Sequence, residues 1–148
     1  MRPIRLTLVA SIATIATIAT SSANAQDGGV QYLPDQLNWN PSSIAGVQVA
    51  PLAGALDKPV YYTYRVKLEK GAIVQPHTHP DARYVTVLSG TLYAGHGDTV
   101  GDSTATPFPA GSFFIVPVGV VHYSWAKDGE AVYQESGIGP TATNFLKK

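Results

Sequence analysis

The 148-residue chain has four histidines, His77, His79, His96 and His122, and no cysteine. His77-Thr78-His79 lies in a β-branched, turn-bounded segment that reads as a strand. Successive strand side chains point to opposite faces, so both imidazoles leave the same one. That spacing places them as neighbouring ligands of a single metal ion. Pro76 and Pro80 bracket the pair, and a hydrophobic run with a Pro117-Val118-Gly119 turn leads to His122. His77, His79 and His122 are the candidate ligands. His96, beside the Gly97-Asp98 turn, reads instead as an exposed or edge-strand histidine. Without cysteine there is no thiolate ligand, no Cys nucleophile and no disulfide. A metal must be held by N and O donors, and the core alone must stabilise the fold.

The elements that position these residues read as strands. Beyond the N-terminal region no helical periodicity of normal length occurs, and short β-branched and aromatic runs alternate with turn clusters. The clearest run is 60–69: Val60, Tyr62, Tyr64, Val66 and Leu68 fall on one face, with Tyr61, Thr63, Arg65, Lys67 and Glu69 on the other. Further strands are expected at 44–50, 72–79, 83–88, 91–96, 112–116, 121–126, 131–137 and 141–146. This pattern predicts an all-β sandwich or barrel. Tyr62 and Tyr64 face its interior, where Tyr64 becomes a candidate substrate contact beside its ordinary role as a core residue. Tyr123 and Trp125 fall on the face opposite His122 and are expected in a sheet–sheet or dimer contact.

Residues 1–25 read as a signal peptide. Arg2 and Arg5 precede an uncharged apolar segment that ends in Ala23-Asn24-Ala25, a small-residue cleavage site. The segment is Thr-rich and short for a membrane span. The expected product is periplasmic or secreted, with no membrane association after cleavage. It begins with an irregular arm, 26–43, followed by the domain proper, 44–148. Its formal charge is about −2, without the basic stripe that phosphate backbones require, so nucleic acid is not an expected partner.

The two histidine segments together resemble the cupin superfamily. Gly71, His77, His79 and Gly90 match motif one, G-x5-H-x-H-x3-E-x6-G, and Gly111, Pro117, Gly119 and His122 match motif two, G-x5-P-x-G-x2-H-x3-N. Eight of ten positions agree with their spacing, and the likeness to small exported, RmlC-like bacterial cupins covers roughly 44–140. The resemblance implies a double-stranded β-helix (jelly-roll) barrel, one metal inside it on the three histidines, and a homodimer. Two positions depart: Arg83 stands at the ligand Glu of motif one and Ala126 at the Asn of motif two. Without the Glu the site is three neutral imidazoles, with more positions open to a ligand and no negative charge expected from the protein.

Three imidazoles with open positions suit Fe(II), as in the three-histidine cupin dioxygenases, and Zn, Mn, Ni or Cu would accept the same donors. Two functions stay open: a metal-dependent, dioxygenase-like enzyme acting on a small polar or carboxylate substrate, and a non-catalytic module binding a small ligand or metal. Arg83 is a candidate substrate residue. Its guanidinium is expected either to enter the cavity as a carboxylate clamp or to fold away to a carboxylate such as Asp81. With an ordinary histidine pKa of about 6.5, metal affinity is expected to fall below that pH.

Overall fold

A computed structural model of the chain describes residues 29–147; the expected signal segment, 1–25, and its cleavage point lie outside the described residues. The fold is that of the unit Tyr32–Lys148.

Eleven strands are described: β1 (Asn40–Pro41), β2 (Val47–Gly54), β3 (Tyr61–Leu68), β4 (Ile73–Thr78), β5 (Arg83–Ser89), β6 (Thr91–His96), β7 (Ala105–Pro109), β8 (Phe113–Val116), β9 (His122–Trp125), β10 (Ala131–Ile138) and β11 (Asn144–Phe145). They form two antiparallel sheets, β1-β2-β3-β10-β5-β8 and β11-β4-β9-β6-β7, which close face to face as a jelly roll. The all-β expectation is met. Within β3 the alternation is as expected for Tyr62, Val66 and Leu68, which are buried, and Tyr61, which is exposed; Val60, expected on the inner face, precedes the strand and is 45% exposed. Val66 and Leu68 pack with Val47, Val74, Val85, Val87, Leu92, Val116 and Tyr133 into the core between the sheets. Burying each such side chain is worth about 1.5–3 kcal/mol.

Three differences have local causes. The arm is not wholly irregular, because a single 3-10 turn at Pro34–Gln36 leads into β1, which pairs Asn40 with Val49. β2 runs on through Pro51 to Gly54. Pro51 lies past the end of β1 with the register shifted between Pro51 and Ala53, so its missing N–H costs no ladder bond. β7 falls in Ala105-Thr-Pro-Phe-Pro, which reads as a breaker cluster; it is the edge strand of its sheet, where prolines are tolerated.

Candidate metal centre

β4, the adjoining β4–β5 turn and β9 carry the three histidines. Cα pairing sets His77 directly opposite His122, and a register shift lies between Val74 and His77. Plain alternation would send Val74 and His77, three residues apart, to opposite faces. The irregularity at Gln75-Pro76 lets both point inward, where both are buried. His79 lies just past β4 and is fixed from motif two: Gly119 donates its N–H to the His79 carbonyl at 2.9 Å. Gly119 does so at φ 71°, a conformation that a side chain would strain.

The three rings converge. Their centroids lie 4.2 Å (His77–His122), 4.7 Å (His77–His79) and 5.0 Å (His79–His122) apart, and one donor atom from each falls within 4.8 Å of the others. Each Nδ1 sits against a backbone carbonyl: Gln75 at 2.7 Å for His77, Ala142 at 2.7 Å for His79 and Val120 at 2.9 Å for His122. Carbonyls only accept, so Nδ1 carries the proton in all three and Nε2 keeps a free lone pair. The Nε2 atoms of His77 and His79 are 3.2 Å apart. Two lone pairs at that distance repel unless a cation lies between them. Bonds of about 2.0–2.1 Å separate adjacent ligand nitrogens by about 3.0 Å in an octahedron and about 3.4 Å in a tetrahedron, so the residues fit one divalent ion.

Burial, the largest cause in each case, lowers all three histidine pKa values. His77 falls to about 3, helped by His122; Arg83 adds to the effect at His79, and His79 adds to it at His122. All three imidazoles therefore stay neutral to a lower pH than an unperturbed histidine, His77 to about 3. The onset of proton competition moves below the pH of about 6.5 expected from unperturbed histidine. His96 is exposed and stands outside the cluster, although its Cα pairs with that of His122.

Arg83 takes the second of its expected placements, folded onto carboxylates, and does not line the cavity beside the histidines. Its side chain is inside the fold, 2% exposed, and it is paired with carboxylates there. Nη1 donates to Glu135 Oε2 at 2.5 Å and to the Tyr64 hydroxyl, Nη2 to Thr141 Oγ1 at 2.7 Å, and Nε to Asp81 at 3.4 Å. Nη2 also approaches His79 Nδ1 to 3.0 Å, but that nitrogen's proton is committed to Ala142. Asp81 is not a surface turn residue. It is buried and accepts from Tyr62 and Thr141 as well. Tyr64 donates to Glu135. Burial opposes the Arg83 charge, but Glu135, the two tyrosines and Asp81 outweigh it and raise its pKa above the ordinary value. The expectation of a site without protein negative charge is corrected: one cation and two carboxylates give a net −1 beside the imidazoles.

Glu135 escaped the sequence reading although a signal was present. In β10 the buried positions Ala131, Tyr133 and Gly137 alternate with more open ones, and Glu135 falls on their face. A carboxylate at an inward register needs a partner. Gly137 is needed by the same network, since a Cβ there would meet Tyr62 Oη and lie 2.7 Å from Asp81 Oδ2. Tyr123 is fully buried, not in a dimer contact but under the 101–104 segment, where its hydroxyl bonds Gly101 and Thr104. Trp125 packs on Tyr93.

A cavity of about 410 Å³ opens beside the cluster, with His77, His79, Tyr64, Glu135, Tyr133 and Phe145 in its wall. The rest of that wall is mostly aliphatic. His122 borders a smaller cavity of about 110 Å³ on the other side, together with His96. β11 pairs Phe145 with His77 and Asn144 with Thr78, so the C-terminal segment lies along the ligand strand.

Residues 28–138 match the family described as the ChrR Cupin-like domain. The germin-like protein subfamily T member 2 of Arabidopsis thaliana is 32% identical over 111 residues, which are 71% of this chain and 49% of that protein. The chain thus spans half the length, or less, of the curated relatives it matches. Among solved structures, the polyketide cyclase RemF of Streptomyces resistomycificus superposes with a TM-score of 0.65 at 12% identity, covering 80% of this chain and 87% of that one. An oxalate oxidase superposes with a TM-score of 0.56 at 22% identity, over 72% and 58% of the two chains. At these identities the likeness is one of fold. The family match covers most of the chain, and the chain belongs to the ChrR Cupin-like domain family of the cupin superfamily.

Proposed function

We propose that the protein binds one divalent transition-metal ion on Nε2 of His77, His79 and His122, and that it is a metal-dependent enzyme acting on a small polar molecule held in the adjoining cavity. The observation that carries this is the matched tautomer set: three backbone carbonyls hold three Nδ1 protons, leaving three convergent, buried, neutral Nε2 donors. Structural sites close their coordination with protein ligands, whereas catalytic sites leave positions open, and three imidazoles leave them open. A bound ion there supplies Lewis acidity and, if it is iron, access to dioxygen chemistry. The chain's own residues hold the geometry and line the space in which a ligand sits. Fe(II) is the favoured metal, with Zn, Mn, Ni or Cu as alternatives. Oxidation, as the name of the oxalate oxidase neighbour states for that protein, is the reaction class favoured here.

The test is anaerobic reconstitution with Fe(II), then an oxygen electrode and a panel of small polar compounds. Iron-dependent, compound-dependent oxygen uptake that disappears in His77→Ala supports the enzyme. Tight metal uptake without turnover on any compound would favour the non-catalytic binding module.

The remaining expectations belong to the same proposal: export with cleavage after Ala25, checked by intact mass, and a homodimer, checked by sedimentation. Tyr84, Leu88, Phe113 and Ile115 support the homodimer. They are exposed, and Tyr84 pairs with Ile115 across β5 and β8.

A further inference from the structure

Glu135 is 9% exposed and its two carboxylate oxygens are used unequally. Oε2 accepts from Tyr64 and from Arg83 Nη1 at 2.5 Å. Among the described residues no donor reaches Oε1, and no buried side-chain polar atom lacks a partner. Oε1 is therefore not sealed in the core; Glu135 lies in the wall of the cavity of about 410 Å³ that it shares with His77 and His79. It stands one guanidinium away from His79, since Arg83 touches Glu135 through Nη1 and His79 through Nη2.

Arg83 does not line that cavity. Four of its five N–H groups have protein acceptors, on Asp81, Glu135, Tyr64 and Thr141, and the fifth, on Nη2, faces His79 Nδ1. The carboxylate clamp expected of an arginine at the motif-one Glu position is thus inverted. What the cavity offers a ligand is an anionic acceptor, held in place by that arginine.

We infer that Glu135 Oε1 is the recognition group of the cavity, and that the ligand class is a small molecule with an apolar body and a hydroxyl or amino hydrogen-bond donor next to its metal-binding atom. This rests on the metal reading above. Charge points the same way. Arg83, Asp81 and Glu135 sum to −1, so a divalent ion brings the site to +1, which a monoanionic or neutral ligand suits and a dianion does not. A dicarboxylate has no donor for Oε1 and adds repulsion against it. The mostly aliphatic wall accepts an apolar body.

Glu135→Gln tests this with a sign. The oxygen facing Tyr64 and Arg83 must remain an acceptor, so the glutamine oxygen takes the Oε2 position and its NH2 takes that of Oε1, presenting a donor to the ligand. Co(II) is loaded into wild type and Glu135→Gln, its stoichiometry is measured, and the visible absorption is titrated with catechol (two hydroxyls on an apolar ring) and with oxalate (a dianion without a donor). A urea melt confirms that the variant is folded. Wild type should bind catechol more tightly than oxalate. The variant should lose about 10-fold or more in catechol affinity, the worth of a hydrogen bond to a charged group, while oxalate binding tightens. Protein that takes up no cobalt overturns the metal reading and this inference with it. Cobalt uptake with oxalate bound as tightly as catechol, or with catechol affinity unchanged in the variant, overturns the donor reading alone.

Discussion

Replacing Arg83 by Met should unfold the protein far more easily than an ordinary surface substitution. The guanidinium is 2% exposed, 2.5 Å from Glu135 and 3.4 Å from Asp81. Removing it keeps the volume roughly constant but strands two largely buried carboxylates, Asp81 at 7% and Glu135 at 9% exposed. Breaking a buried ion pair from one side costs about 3–5 kcal/mol, mostly the price of the uncompensated charge. For a unit of roughly 120 residues, about 4 °C per kcal/mol makes this a fall in Tm of about 12–20 °C. The assay is urea unfolding of metal-free protein in chelator at pH 7, with the slope m compared between variants so that a shifted midpoint reads as stability. The triple variant Arg83→Met, Asp81→Asn, Glu135→Gln removes the stranded charge and should recover more than half of the loss. A single-variant loss below about 1 kcal/mol, typical of an exposed pair, would refute the buried-charge argument, and so would a triple variant no better than the single.

The three cluster histidines have lowered pKa values, with His77 at about 3, against about 6.5 in the unfolded chain. Between those limits the unfolded chain binds more protons. Metal-free stability should thus be full above pH 6.5 and fall as the pH drops, by up to about 1.4 kcal/mol per pH unit for each histidine, read from urea midpoints at pH 7, 6 and 5. Gly137→Ala drives a Cβ against Tyr62 and Asp81 and should cost about 1–3 kcal/mol; Tyr62→Phe in the same background should return part of it. Ending the chain at Pro140 removes the Ala142 carbonyl from His79 Nδ1 and should weaken Zn(II) binding about 10-fold or more, measured by chelator competition.

The legible parts of the fold were those with a strict period or a fixed motif. β3 alternates cleanly because one face meets the core, and the motif glycines and histidines carry their spacing openly. What remained hidden depends on pairing between distant strands. The Val74–His77 irregularity that turns His77 inward cannot be read from alternation alone. β7 hides behind two prolines because its ladder has a partner on one side only. In the site, Arg83 was conspicuous because it broke a motif, and Asp81 was in view two residues away, but two of its partners come from β10 and the segment after it: Glu135 is 52 residues away and Thr141 is 58. Only the register of β10 against β3, which sets Glu135 beside Tyr64, brings them together.

The central claim is one divalent ion on three imidazoles. X-ray absorption at the metal edge, on protein loaded with one equivalent of Zn(II), tests it most directly, alongside stoichiometry for each histidine variant. The account predicts one ion per chain with three imidazole nitrogens at about 2.0–2.1 Å. It also predicts loss of tight binding in His77→Ala, His79→Ala and His122→Ala, and none in His96→Ala. Binding that survives in His122→Ala, or is lost equally in His96→Ala, would contradict it.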